Sequence, residues 1–199
     1  MTLKSYVPLI REINERLSEN RLALLRDTCF GPWLQLEDDS ADPLLLLMFL
    51  QCQVHPDNVG EHEMLFDVCD HIHRFGREEF CLITGFRFGT IPSVRPSKGG
   101  VIARRLGLEK LTSTSCLHWF FSIGDDDGYD DDEACRITFL AMASNFFLGQ
   151  QGPVKVPQIL VDLVDDLEAW NNFPWGSYFW DPTYKQTNGA IQRRVGTKK

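Results

Sequence analysis

No apolar run in this 199-residue sequence approaches the roughly 20 residues that a membrane-spanning helix needs. Leu44–Leu50 stops at seven residues, and Ala134–Leu148 is interrupted by Arg136 and Asn145. A secretory signal is missing too, because Thr2–Leu25 alternates polar and apolar residues at helical spacing and carries several charges. There is no Gly-x-Ser-x-Gly elbow to expose a lipase serine. Nor is there a Gly-x-x-x-x-Gly-Lys-Ser/Thr phosphate loop. Arg95-Pro-Ser-Lys-Gly-Gly100, followed by Arg104 and Arg105, lacks that order and reads as a flexible surface loop. No internal repeat or domain-sized linker is visible. These absences predict an intracellular protein of the nucleus or cytoplasm, not a secreted or membrane one.

What is present suits one globular domain. Hydrophobic residues make up 43% and aromatics 12%, enough to build a sizeable core. The net charge of −8 is local: Asp125-Asp-Asp-Gly-Tyr-Asp-Asp-Asp-Glu133 holds seven of the 28 acids and no base. Without it, 21 acids stand against 20 bases, so the acidity belongs to one loop. That run is not an EF-hand loop. With Gly128 at the centre, Ile123 and Ala134 fall at the first and last ligand positions. A solvated charge run is the simpler account. Six cysteines, Cys29, Cys52, Cys69, Cys81, Cys116 and Cys135, are widely spread among apolar neighbours and read as reduced core thiols.

The periodicities predict an α+β fold, predominantly helical, with one small strand or hairpin element. Ile10, Ile13 and Leu17 mark an amphipathic N-terminal helix within residues 1–21, with Arg11, Glu12, Glu15 and Arg16 facing water. Asp42-Pro43 starts a helix whose Leu44–Leu50 run is apolar all round and therefore placed inside. From Met64 to Phe75 the period becomes two, with Met64, Phe66, Val68 and Ile72 on one face and Asp67, Cys69, His71 and His73 on the other. A short helix over Arg77–Thr84 follows, capped by Gly85. A helix over Val101–Leu111 precedes Trp119-Phe-Phe121. Glu133–Leu148 is the expected central buried helix, and Ile159, Leu163, Leu167 and Trp170 line a long one after it. Asn171–Gly176 stops that helix. Residues 185–199 form a basic tail with five bases and no acid.

Two segments carry a family resemblance. Phe75-Gly-Arg-Glu-Glu-Phe-Cys-Leu-Ile-Thr-Gly85 is similar to a pattern of Phe, a capping residue, Glu-Phe, apolar residues and Thr-Gly. Val164-Asp-Asp-Leu-Glu-Ala-Trp-Asn-Asn-Phe-Pro-Trp-Gly176 is similar to a later Phe/Tyr-Pro-Trp-Gly turn. In order and spacing the chain, from Leu22 to Arg194, resembles a plant domain of unknown function found in mobile-element-derived proteins. That domain often stands ahead of a ubiquitin-like (SUMO) protease domain. Related plant proteins are labelled "phospholipase-like" or "aminotransferase-like mobile domain". Gly76 departs from the pattern, which has Ser or Thr there, and Lys199 comes before any protease domain would begin. The resemblance implies a domain over residues 22–184 and brings no catalytic residues with it.

The remaining constellations are weak. Cys69, His71 and His73 share a face on a continuous strand, with Cys81 nearby, but their spacing matches no standard zinc signature. They read as solvent-facing histidines beside an ordinary thiol. Six cysteines and five histidines offer no Cys-His pair in a protease-like context. The basic tail, with Tyr184, Lys185, Arg193, Arg194, Lys198 and Lys199, is a candidate phosphate contact opposed by the acidic loop. A frayed terminus accounts for it equally well. No catalytic, cofactor-binding or metal-binding residue is assigned, and no cofactor is expected. The sequence therefore predicts a non-catalytic protein-interaction or scaffolding domain with protein partners. The alternatives are a nucleic-acid-binding accessory module and a truncated accessory region of a SUMO-type cysteine protease.

Overall fold

Two helix starts in this chain are fixed by aspartates that satisfy free backbone amides. Asp42 accepts from the amides of Leu44 at 2.8 Å and Leu45 at 3.1 Å, and Pro43 follows it where no amide is needed. Asp130 accepts from Glu133 N at 2.7 Å while the Glu133 carboxylate takes the Asp130 amide, a reciprocal capping box. The computed structural model describes residues 5–37, 42–56, 60–93, 102, 105, 111–124 and 128–191. In chain order its elements begin with α1 (Leu9–Arg16), α2 (Glu19–Arg26), a 3-10 turn (Gly31–Gln35), α3 (Pro43–Gln51), β1 (Gln53–Val54), β2 (Met64–Val68), β3 (His71–Phe75) and α4 (Arg77–Thr84). They continue with α5 (Ser113–Phe121), α6 (Asp131–Ala141), a π-helical turn (Met142–Phe147), α7 (Gln158–Leu163), α8 (Leu167–Asn172) and α9 (Trp175–Thr187). The helical α+β class is as predicted, with a three-stranded antiparallel sheet ordered β1-β2-β3. The described residues fall into two compact units. One draws on Asp42–Pro92 and Phe173–Lys199, the other on Leu3–Ala41 and Ser93–Asn172.

The second unit is all helical at its core. α1 buries Leu9, Ile10 and Ile13 as its spacing required, and Arg16 pairs with Glu12 at 3.0 Å on the wet face. Leu17 turns to extended backbone, and Ser18 leads into a second helix, so the predicted N-terminal helix is two. α6 and the π turn form the buried centre: Ala134, Cys135, Phe139–Ala143 and Asn145 are all shielded. Phe30 meets Phe139 and Trp170 edge-on, and Phe139 stacks on Trp170 at 5.3 Å. The long helix predicted over Ile159–Trp170 is instead α7 and α8. Asp166 takes the amide of Ala169 at 2.9 Å, which starts a new helix and ends the old one.

The acidic run is not merely solvated. The buried Arg21 donates to Asp131 at 2.9 Å and to the carbonyl oxygens of Gly124 and Tyr129. Arg105 pairs with Glu133 and lies 4.5 Å over the Tyr129 ring. Half of the run is thus spent on capping α6 and fixing the chain before it. Asp125–Asp127 lie outside the described residues, as do the Arg95–Gly100 loop, most of the helix expected over Val101–Leu111, and the tail from residue 192.

The first unit holds the sheet. Leu50, Met64, Phe66 and Trp180 are its buried centre, with Leu46, Phe75, Phe80 and Tyr184 packed around them. α3 is not the internal helix that its composition predicted. It seats Leu46 and Leu50, one turn apart, on this cluster and stacks Phe49 on Phe66 at 4.3 Å. A three-stranded sheet covers only one stripe of a helix, so Leu44, Leu45 and Met48 remain 63%, 64% and 57% exposed.

Candidate functional site at the hairpin and helix α4

The two-residue turn between β2 and β3 decides which side chains meet. Cys69 and Asp70 both have positive φ, 54° and 62°, the backbone of a tight hairpin turn normally given to Asn and Gly. The closing pair is Val68 with His71, and the ladder runs on through Asp67 with Ile72 and Phe66 with His73. Paired residues share a face and here differ by an odd number. Even positions before the turn therefore join odd positions after it. Ile72 consequently leaves the Met64–Phe66 face and is 60% exposed, contrary to the sequence reading. His71 and His73 join the Met64–Phe66 face at its exposed end, while Cys69 sits in the turn. The strand face expected to be shared by Cys69, His71 and His73 therefore does not form. Among the described residues no group of three His, Cys, Asp or Glu side chains is placed to hold a metal.

Past β3, six residues of the Phe75–Gly85 segment have structural tasks: Phe75, Gly76, Glu79, Phe80, Thr84 and Gly85. Phe75 and Phe80 pack on Trp180 with centroids 5.6 and 5.3 Å away. Glu79 accepts from the Gly76 amide at 2.8 Å; glycine has no side chain to return, so the capping box is half made. Thr84 donates to Phe80 O and accepts from Phe86 N, and Gly85 leaves the helix in the left-handed region at φ 71°. The two apolar residues late in α4 stay outside the core: Leu82 and Ile83 are 84% and 69% exposed.

A polar cleft of about 210 Å³ opens beside this junction, lined by Glu61, His62, Glu63, Arg74, Arg77, Glu78 and Glu79. Sequence reasoning passed over it, because its residues come from three separate stretches. Arg74 reaches Glu78 at 2.7 Å, Glu79 at 3.3 Å and Glu63 at 3.5 Å. Glu79, then Glu78 and Glu63, raise the Arg74 guanidinium still higher. Burial opposes the charged form of Glu79, but its amide hydrogen bonds and Arg74 outweigh that and hold it below its ordinary value. His62 has φ 64° and packs on Tyr184, with Nδ1 3.9 Å from Asp181, beyond hydrogen-bond reach. No serine, threonine or cysteine lines the cleft. The arrangement clamps α4 to the hairpin through Arg74 and its three glutamates.

The thiols do not gather either. Cys116 and Cys135 are buried, and burial pushes both up to about 12. Cys69 is exposed, and Cys29, Cys52 and Cys81 are half-buried, so the reading of all six as core thiols holds only for the first two.

The second resembling segment is equally structural. Phe173 and Trp175 are buried, and Gly176 donates its amide to Arg87 O at 2.8 Å. A side chain at 176 would stand 2.7 Å from that oxygen and from the Phe88 ring. A family model for a domain of unknown function, DUF1985, matches residues 50–186 and takes in both segments. The chain belongs to the DUF1985 family. The match is narrower than the Leu22–Arg194 span of the sequence resemblance, and it begins at the end of α3. Neither a curated protein nor a solved structure matches significantly. Within the DUF1985 match the described helices are too short or too polar to cross a membrane.

Proposed function

We propose that this chain is a non-catalytic protein-interaction module whose partner-binding surface is the outward face of α3, the helix that leads into the DUF1985 match. The observation that carries it is the exposure of Leu44, Leu45 and Met48 beside the partly exposed Phe49. Residues four apart lie side by side on a helix, so Leu44–Met48 and Leu45–Phe49 make one continuous apolar strip. No charge interrupts α3 between Pro43 and Gln51. A monomeric soluble surface seldom keeps such a strip without a use. The occupant we infer is an amphipathic helix of a partner protein, laid with its apolar side on the strip. The non-catalytic reading is supported by the protonated, buried state of Cys116 and Cys135 and by the self-satisfied charges of the cleft. On the sequence resemblance, we further infer descent from a plant mobile-element protein in which such a domain accompanies a SUMO-type protease, and action inside the cell.

A photo-crosslinking amino acid placed at Leu45 or Met48 of the full chain tests the surface in living cells. The expectation is one common polypeptide captured from both positions, and none from a control at the exposed Glu168. Capture of a second copy of this chain, or adducts no stronger than at Glu168, would overturn the assignment. Hydrolysis of ubiquitin-like fusions or esters by the pure chain, abolished by one cysteine or serine substitution, would overturn the non-catalytic reading.

A further inference from the structure

The sheet has two edges, and the chain treats them differently. At β1 the Gln53 side chain donates to Asn188 Oδ1 at 2.8 Å and accepts the Gly189 amide at 2.9 Å. The segment after α9 is therefore tied to β1 through the Gln53 side chain. At β3 no further strand pairs among the described residues. In a hairpin with a two-residue turn, the closing pair exchanges both backbone hydrogen bonds and every second pair repeats this. Val68–His71, Phe66–His73 and Met64–Phe75 are those pairs. Ile72 and Arg74 therefore direct N–H and C=O away from β2, an open row of two donors and two acceptors. Natural sheets seldom leave such a row unguarded.

We infer that the β3 edge is a second docking site, which takes an extended segment of a partner protein as an added antiparallel strand. The side chains specify the segment. On one face of β3 stand His71 and His73, whose imidazoles donate hydrogen bonds; on the other stand the exposed Ile72 and Arg74, the latter already paired with Glu63, Glu78 and Glu79. A fitting strand alternates carboxylates, which lie beside the imidazoles, with aliphatic residues, which cover Ile72. A second copy of β3 fits poorly. The register that satisfies Ile72 and Arg74 sets His73 opposite its own copy, and neither strand contributes an acid. The site is independent of the α3 strip: it lies on another element and reads backbone geometry as well as side chains.

The test uses the isotopically labelled full chain and the synthetic peptide acetyl-(Asp-Val)5-amide. In the antiparallel arrangement, the peptide residues bonded to Ile72 and Arg74 are those on the face of Ile72, the valines. Chemical-shift changes and slowed hydrogen exchange are expected at the Ile72 and Arg74 amides. N-methylation of the valines should weaken binding at least tenfold, whereas N-methylation of the aspartates should leave it. A (Lys-Val)5 peptide should bind at least tenfold more weakly. Ile72→Pro removes one outward donor without touching the hairpin ladder and should abolish binding. If that variant unfolds, the methylated peptides still decide the matter. Absence of binding, indifference to valine methylation, changes centred on α3, or self-association that occupies the same amides would each overturn the assignment.

Discussion

At Gly176 the backbone comes so close to Arg87 O and the Phe88 ring, each 2.7 Å from where a Cβ would stand, that no side chain fits. Gly85 poses a different constraint: nothing lies within 4 Å, but φ is 71°. Gly176→Ala should therefore cost about 2 kcal/mol through overpacking against backbone. Gly85→Ala should cost about 1 kcal/mol, the strain of a left-handed alanine. Urea unfolding measures both, and a reversed order would refute the account. The sequence announced Gly85 as a helix cap, since a glycine after an apolar helical run has few other uses. It showed Gly176 only as part of a turn, because the crowding comes from Arg87 and Phe88, nearly ninety residues away. Arg21 was silent for the same reason. Its partners Gly124, Tyr129 and Asp131 are distant in sequence, and nothing in an amphipathic repeat marks a buried guanidinium.

At the scale of elements, the start of α3 and the buried face of α1 were legible, whereas the starts after Ser18 and at Asp166 and the faces of Ile72 and α3 were not. Asp42, Asp130 and Gly85 act through neighbours within four residues, which a sequence displays directly. The face of Ile72 depends on whether the turn has two residues or three, and one residue of difference inverts a strand. The inside placement of α3 failed because composition reports hydrophobicity, not how much surface the rest of the chain can cover. The cleft was unreadable until the hairpin brought Glu63 to Arg74. The α4 cap gives a pH prediction. Glu79 is held below its ordinary 4.5, so its contribution is complete above that value and is lost as pH falls through the lower folded value. The urea midpoint of the native chain should thus drop between about pH 5 and pH 3, and Glu79→Gln should flatten that drop. Equal slopes for the two proteins would show that the cap carries no such linkage.

At the scale of the whole molecule, the family match and the folding units do not share boundaries. Residues 50–186 omit α1 and α2, yet Leu9, Ile13, Leu22, Leu25 and Phe30 are buried in the same unit as α6. A fragment cut to those residues should lose its cooperative unfolding transition by circular dichroism. Cys116 and Cys135 offer a sharper reading. In the intact chain they should resist iodoacetamide at pH 8, being buried and pushed up to about 12, while Cys69 reacts; in the fragment all should react. Protection of Cys135 in the fragment would mean that the N-terminal helices are dispensable.

The unit that contains the sheet is assembled from stretches far apart, and this gives its folding a timetable. Phe75 and Phe80 leave the ribosome about a hundred residues before Trp180, the indole that both rings pack against. At about 5–20 residues per second the hairpin and α4 wait roughly 5–20 s for the centre of their core. Throughout that interval Leu50, Met64 and Phe66 lack the Trp180 that completes their cluster. A nascent form of this chain should therefore engage chaperones until α9 is made.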